Sequence, residues 1–293
     1  MIKAFNLKLF SKVLFYFWLY TLAVILWGAW VRISHSGDGC GNHWPLCSGD
    51  FIPNFSQKKT WIEYTHRLMT GFYGIAVVLI FLKIKTTITD IFIKKLGWWF
   101  LGLMISEALL GALLVKGELV TTNDSISRLI VMIFHQLNSF LLTGTTFLLY
   151  LAVNKKKADT LSSVKIESYT PILLFLLLAI SGAIAALSVT LFPSISVWNG
   201  ILDDFSKDSH LFIKLRILHP LLASVIGTGF VTWLFSKNHS RIAIEFLIAL
   251  GIGVITILTL SPLPLKLVHL LIAHLLWARL IYLLVSSPDS NNR

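Results

Sequence analysis

The sequence predicts an all-α integral membrane protein, in which eight transmembrane helices form two pseudo-symmetric four-helix bundles. Of its 293 residues, 56% are hydrophobic and only 13% are charged, whereas soluble domains have about 45–50% and about 25%. Eight stretches are apolar over the roughly 20 residues that a bilayer-spanning helix needs. The second half also repeats the histidine placement of the first. This composition excludes a soluble enzyme, a disordered chain and a disulfide-stapled secreted scaffold.

The predicted spans follow one another with short polar connections. The first is a span rather than a signal peptide, because it is too long for the apolar core of a signal and lacks a small-residue cleavage site. The sixth and eighth are the least uniformly apolar, because they contain Arg216 and Arg279. The spans are 13–32, 62–82, 97–115, 129–153, 170–191, 215–236, 243–261 and 267–286.

The basic residues predict how the chain is oriented. Most of the 25 Lys and Arg residues lie at the N-terminus and in the loops after even-numbered spans, whereas the opposite loops carry acids such as Glu118 and Asp203. Because basic loops favour the cytoplasmic side, both termini are predicted to be cytoplasmic. The net charge of +11 is therefore assigned to contact with anionic lipid in the bilayer, and no nucleic-acid partner is predicted.

Two halves, 1–154 and 166–293, are joined by a basic linker at 155–165. Each half has one histidine early in its second span and one early in its fourth. Since each half has an even number of spans, the two are parallel repeats with the same orientation. The four histidines then lie at similar depth near the outer ends of spans 2, 4, 6 and 8, and they are His66, His135, His219 and His269.

An intramembrane histidine is costly and marks a functional site, although one at a helix end can also simply hydrogen-bond locally. Imidazole suits iron, and two histidines facing each other across a bundle can hold a haem axially. The repeats predict two such sites, one from spans 2 and 4 and one from spans 6 and 8. His274 competes with His269 for the last position, and the repeat alignment selects His269.

The two halves differ beside the first histidine of each. Glu63 precedes His66 by three residues and shares its helix face, whereas Arg216 holds the corresponding place in the second half. A carboxylate there can act as a base or stabilise a developing cation, or it can simply pair with Arg67 or Arg32. The first half is therefore predicted to do chemistry and the second to hold a cofactor. The three arginines are candidate partners of haem propionates.

Other polar groups in the outer region and the membrane stand out. Cys40 and Cys47 lie in the longest outer loop, about 33–61. A bridge between them would add roughly 2–3 kcal/mol of stability, and both a structural and a redox role stay open. Glu107 is a second acid within a span and has no obvious partner in the sequence.

The motifs together resemble the haem A synthase family over about residues 20–285. The segment Glu63-Tyr64-Thr65-His66-Arg67 resembles its Glu-x-x-His-Arg signature, and His135-Gln136 resembles its helix 4 motif. Two departures are the lack of a second cysteine pair in 192–214 and Glu107 where the family has Gln. Further similar segments are 28–32, 34–40, 44–47, Leu110-Gly111 and Pro262 followed by His269.

The resemblance implies a reaction and a set of ligands. Haem A synthases use O₂ to oxidise a methyl group of haem O to the formyl group of haem A, which terminal oxidases then use. It implies that His66 and His135 hold the substrate porphyrin, with Glu63 near the reacting methyl group. It assigns a haem b, an iron porphyrin cofactor, to His219 and His269. Cys40 and Cys47 correspond to the cysteine pair of the family's first outer loop.

The resemblance also implies partners and a location. The partners are a haem O synthase that delivers haem O, assembly factors of terminal oxidases, and an electron donor that the sequence does not identify, and a homo-oligomer stays open. A bacterial plasma (inner) membrane is expected, because no Arg-rich transit peptide is present. The main alternative is a di-haem electron carrier of b type, which explains neither the Glu63/Arg216 difference nor the Cys loop. A transporter would instead show helices interrupted at mid-membrane.

Overall fold

A computed structural model describes residues 6–54, 56–154 and 169–286. In these ranges the chain is all-helical apart from one isolated β-bridge between Cys47 and Asp50. Eight of the helices are long and apolar enough to cross a membrane, and each corresponds to one predicted span, which confirms the multi-pass all-α prediction. The predicted linker at 155–165 lies outside the described residues.

Most of the spanning helices are longer than the predicted apolar spans because polar turns extend them. Side chains cap some of these turns: Asn6 accepts a hydrogen bond from the Leu9 amide and Asp90 from the Ile93 amide, both at 3.0 Å. A short helix, Val197–Phe205, lies in the loop before the sixth span. The spanning helices are α1 Leu7–Ile33, α2 Lys58–Thr87, α3 Ile91–Lys116, α4 Ile126–Asn154, α5 Tyr169–Leu191, α6 Leu211–Ser236, α7 Ser240–Leu258 and α8 Leu263–Ser286.

The seventh span is the one in which the helix ends before the predicted apolar stretch does. Helix α7 begins at Ser240 and ends at Leu258, whereas the predicted span runs over 243–261. Leu260 and Ser261 have φ values of 58° and 56°, a left-handed backbone conformation that cannot continue a right-handed helix. The apolar stretch therefore extends into the turn that connects α7 to α8.

Helix α6 is irregular next to one of the predicted histidines. Its α-helical turns are interrupted at Ile217, and Ala223–Gly227 forms a π-helical turn. Pro220 lies between the two irregularities and has no backbone N–H to donate, and π-turns often mark functional positions. The helix still runs through as one span, unlike the unwound helices that a transporter would show. His219, like Pro220, lies between the two irregularities.

The helices of each half contact one another in a ring. Helix α1 contacts α2 and α4, and α3 contacts α2 and α4; α5 and α7 likewise each contact α6 and α8. The halves meet where α8 packs against α1 and α4, and where α4 packs against α5. These contacts are compatible with two adjoining four-helix bundles. The two-bundle arrangement, the symmetry between the halves and the cytoplasmic location of the termini stay predictions.

Apolar packing fills much of each half and leaves the histidines towards one end, the end that carries the loop 34–57, called the outer end below. In the first half Phe17 stacks on Tyr73 with ring centres 4.8 Å apart, and Phe100 is fully buried beside them. In the second half Phe175 stacks on Trp277 with ring centres 5.3 Å apart.

Candidate functional site

Each of the four predicted histidines packs against a glycine of the preceding helix. A glycine within a helix is about 1 kcal/mol less favourable than alanine, so four at equivalent places indicate a requirement for space. The same pairing occurs in both halves, as a repeat predicts, although the sequence indicated no contact between these glycines and the histidines. The pairs are Gly28 with His66, Gly111 with His135, Gly182 with His219, and Gly253 with His269.

In the second half, His219 and His269 face each other. Their ring centres are 6.2 Å apart and their planes are at 78°. Two imidazoles on opposite sides of one iron have ring centres about 6 Å apart, since each metal–nitrogen bond is roughly 2 Å long. The pair therefore fits a bis-histidine haem.

A hydrogen bond fixes which nitrogen of His219 is available. The Ser181 hydroxyl lies 3.0 Å from Nδ1 of His219 and donates its own proton to the Leu178 carbonyl at 2.9 Å. Because a hydroxyl has one proton, Nδ1–H of His219 must be the donor in the first contact. That tautomer leaves Nε2 of His219 free to bind a metal.

In the first half, His66 and His135 are close enough to interact electrostatically. Nδ1 of His135 lies 3.4 Å from Oε1 of Glu107. The Asn138 amide donates a 2.6 Å hydrogen bond to the other carboxyl oxygen, Oε2. Glu107, whose partner was not evident from the sequence, is thus held against a predicted porphyrin ligand.

Changing Glu107 to Gln is expected to weaken porphyrin binding at the first-half site by about tenfold, because an acid placed beside a ligating histidine orients the ring and raises its basicity. Soret titration of the Glu107→Gln protein with haem measures this. Ser181→Ala is the matched variant and should affect the second-half site only. Equal effects of Glu107→Gln on both sites would contradict the assignment.

Glu63 is 3% exposed and fully engaged with the protein. Its Oε2 accepts a 2.8 Å hydrogen bond from the Cys40 amide, and its Oε1 accepts one from Arg67 Nε at 3.1 Å and another from Nη2. The ion pair with Arg67, one of the readings left open by the sequence, is therefore present. A carboxylate bound this way is rigidly placed one helical turn outward from His66.

Arg67 organises the outer loop instead of remaining free. Beyond Glu63, its guanidinium donates to the carbonyls of Gly41 at 3.4 Å, His43 at 2.6 Å and Leu46. These contacts use all five guanidinium donors, so none remains for a haem propionate.

The outer loop is closed by the Cys40–Cys47 disulfide. The two residues are 0% and 1% exposed. The loop also packs tightly on the start of α2, where Thr60 donates to the Gly39 carbonyl at 2.7 Å. A β-carbon on Gly39 would come within 2.4 Å of the Lys59 backbone. Disulfide, loop and Glu63 thus form one packed unit above His66.

Arg216 holds the outer loop between α5 and α6, which lacks cysteines. Its Nε donates to Asp204 at 2.6 Å, and its Nη2 donates to the Gly200 carbonyl at 2.9 Å. Burial raises the pKa of Asp204 above its usual range, although the bond from Arg216 opposes this. The arginine therefore fastens the short helix Val197–Phe205 to α6, as a disulfide fastens the first loop.

Of the three arginines predicted to contact haem propionates, Arg32 has side-chain nitrogens without a partner among the described residues. Its Nε and Nη1 are buried and have no hydrogen-bond partner in the part of the chain that the structure describes. Arg128 and Lys266 lie near enough to interact with it electrostatically. Buried like charges are costly without an anion between them. The three cations therefore form a candidate anion site where α1, α4 and α8 meet.

Sequence reasoning missed two members of this cation cluster, although a signal was available. Lys266 precedes His269 by three residues and Arg128 precedes His135 by seven. Both spacings place the cation on the same helix face as the histidine. Arg32 likewise follows Gly28, the glycine beside His66, by four residues.

His274 lies between the halves and apart from the His219–His269 pair. It is 1% exposed, stacks on Phe140 with ring centres 4.0 Å apart, and its Nδ1 is 3.0 Å from the Thr143 hydroxyl. Phe140 and His274 each follow a predicted ligand, His135 or His269, by five residues. The geometry therefore favours His269 over His274 as the ligand.

The glycine–histidine contacts predict graded effects of added methyl groups. A β-carbon at Gly28 would lie 2.9 Å from Cε1 of His66, whereas one at Gly111 would lie 4.0 Å from Cε1 of His135. Gly28→Ala is expected to displace its histidine and weaken porphyrin binding at the first-half site about tenfold. Gly111→Ala should be tolerated. Haem titration of both variants checks this, and equal affinities would argue against the role of Gly28.

Comparisons with known proteins assign the chain to a family. The family model COX15-CtaA, described as "Cytochrome oxidase assembly protein", matches residues 11–281. A Protoheme IX farnesyltransferase of Thermus thermophilus is 30% identical over 297 residues, covering 95% of this chain and 49% of that protein. A Heme A synthase of Symbiobacterium thermophilum is 35% identical over 94 residues, covering 31% of this chain and 30% of that protein. One of Macrococcus caseolyticus is 38% identical over 122 residues, covering 40% and 39%. The chain thus spans about half the length of the Thermus relative.

Proposed function

The chain belongs to the COX15-CtaA family, which includes the haem A synthases, and from this premise we propose that it oxidises a methyl group of haem O to the formyl group of haem A. The observation that carries the proposal is the pair of histidine sites, each with a glycine opposite each ligand. The two halves use the same ligands in different surroundings, as expected if one half holds a substrate and the other a cofactor.

The second half is proposed to hold haem b between His219 and His269. The ring separation of 6.2 Å supports this, as does the tautomer that Ser181 imposes on His219. When bound, the haem supplies electrons for an oxidation that also consumes O₂. The chain's own part is to hold and orient the two imidazoles and to enclose them in apolar side chains.

The first half is proposed to hold haem O between His66 and His135. Arg32, with Arg128 and Lys266 nearby, would receive propionates at the outer end, because its buried Nε and Nη1 have no partner among the described residues. Of the three arginines singled out in the sequence, only Arg32 is retained for this role. Arg67 holds the outer loop between α1 and α2, and Arg216 holds the one between α5 and α6.

Glu63 is the proposed catalytic residue, beside the methyl group that is oxidised. Its charge is fixed in place by Arg67 and the Cys40 amide before substrate arrives, so it can stabilise positive charge that develops at the methyl carbon without first reorganising. The buried Cys40–Cys47 bridge is proposed as a structural support for this arrangement, because a reductant must reach a disulfide to act on it.

The partners and membrane are proposed from the same relatives. Haem O would come from a haem O synthase, in keeping with the relative named for farnesyl transfer, and the product would pass to assembly factors of a terminal oxidase. The protein spans a membrane several times, and we place it in the plasma (inner) membrane of a bacterium.

Co-expression with a protohaem IX farnesyltransferase tests the proposed function against the di-haem alternative. Haems extracted from the purified protein should include haem A together with haem b, as shown by pyridine haemochrome spectra and mass. An electron carrier would yield two unmodified b-type haems, and that result would overturn the proposal.

A further inference from the structure

A groove of about 540 Å³ runs along the side of α3 in the first half. It begins at Lys95, passes Trp98, Trp99 and Gly102, and ends near Ser106 and the α4 residue Asn138. Trp98 and Trp99 are 57% and 68% exposed. The propionate and histidine sites do not use this groove.

The outer end of the groove, at Ser106 and Asn138, adjoins the first-half porphyrin site. Asn138, which lines the groove, donates to Glu107 at 2.6 Å and to the Leu103 carbonyl at 2.9 Å. Glu107 in turn lies 3.4 Å from the ligand His135. A single side chain therefore separates the groove from a residue that holds the substrate iron.

The interior of the first half does not offer a path for a long substituent directed away from the outer end. Tyr73 lies seven residues, or about two helical turns, beyond His66 on the same face. It is packed with Phe17 and with Phe100, which is 0% exposed. A chain on the inner edge of the porphyrin must therefore leave sideways.

The groove is open and long enough to hold a prenyl chain. A β-carbon on Gly102 would meet no atom within 4 Å, so the groove is open there. The twelve residues from Lys95 to Ser106 span about 16 Å along a helix, since each step between neighbours rises about 1.5 Å. An extended farnesyl chain is about 14 Å long, given carbon–carbon bonds of about 1.5 Å.

We propose that this groove on α3 binds the farnesyl tail of haem O and so selects haem O over protohaem, which lacks the tail. In haem O the prenyl substituent and the propionates lie on opposite edges of the macrocycle. With the propionates at Arg32, the tail points away from the outer end and towards the groove. The inference rests on the proposed function for the identity of the porphyrin.

Filling the groove tests this proposal. Gly102→Leu places a side chain in the groove, and Gly251→Leu is the matched control, because Gly251 is also exposed, open and helical but lies on the repeat-related α7. Each protein, with its second-half site filled, is titrated with haem O and with protohaem. Gly102→Leu is expected to weaken haem O binding about tenfold and leave protohaem binding unchanged, whereas Gly251→Leu changes neither.

Other outcomes overturn the proposal. Equal weakening of both porphyrins would show damage to the pocket, and unchanged haem O binding would show that the tail lies elsewhere. Release of a co-purified lipid with no change in the haem O to protohaem ratio would show that a lipid acyl chain occupies the groove. If the protein prefers haem O to protohaem but forms no haem A, the groove proposal is supported and the proposed function is contradicted. The two proposals can therefore fail separately.

Discussion

Replacing Glu63 by Gln is expected to lower haem A formation by about 100-fold while both porphyrins remain bound. Removing one preorganised electrostatic partner of a transition state typically costs this much. Glutamine is similar in shape and retains an oxygen acceptor for the Cys40 amide or Arg67. The disulfide loop should therefore stay in place, and the change should act on the charge alone.

Three measurements on the Glu63→Gln protein test this prediction: haem A output, haem content and the resistance of the disulfide loop to proteolysis. Glu118→Gln is the control, because Glu118 is an exposed acid in the loop between α3 and α4. Haem A output like that of the unchanged protein would contradict a catalytic role. Loss of porphyrin together with a cleavable loop would show instead that Glu63 serves only to anchor the loop.

Replacing His219 or His269 by Ala is expected to remove the second-half haem and, with it, haem A formation. Each variant deletes one of two proposed axial ligands, whose ring centres are 6.2 Å apart. The remaining imidazole cannot hold the iron from both sides, so the bis-histidine b-type spectrum should be lost while the first-half site still binds porphyrin.

The informative control is His274→Phe, because His274 already stacks on Phe140 and a phenyl ring can keep that stack. This variant should retain the b-type spectrum and lose only the contact with Thr143. If His274→Phe loses the haem and His269→Ala keeps it, the ligand assignment is reversed.

The sequence predicts the spans and candidate ligands because these depend on local features. A bilayer sets the length of each apolar stretch, so each of the eight predicted spans has its own helix. The histidines stand out because polar side chains are rare inside spans. The Glu63–Arg67 pair is likewise readable from its spacing of four residues.

Contacts between distant segments could not be predicted in this way. The approach of Lys266 to Arg32 depends on how α8 packs against α1, and no local pattern specifies that packing. The glycines opposite the histidines are visible only once neighbouring helices are aligned. The loss of Arg67 and Arg216 as propionate partners also arises from the folding of outer loops onto them.

The difference between the halves is also clearer in the structure than in the sequence. In the first half, the residue after His66 is Arg67, which binds the disulfide loop; in the second, the residue after His219 is Pro220, beside a π-helical turn. The partner of His135 is the acid Glu107, whereas that of His219 is the hydroxyl of Ser181. Similar histidine pairs thus differ in their neighbours, an acid beside His135 and a hydroxyl beside His219, as expected for a reacting substrate and a resident cofactor.

The most direct test is conversion of haem O by the purified protein in lipid nanodiscs, with its second-half haem in place, a chemical reductant and O₂. The porphyrin extracted afterwards should have the mass and the pyridine haemochrome spectrum of haem A, and none should form without O₂ or with Glu63→Gln. Recovery of unaltered haem O from protein that carries both porphyrins would contradict the proposed function.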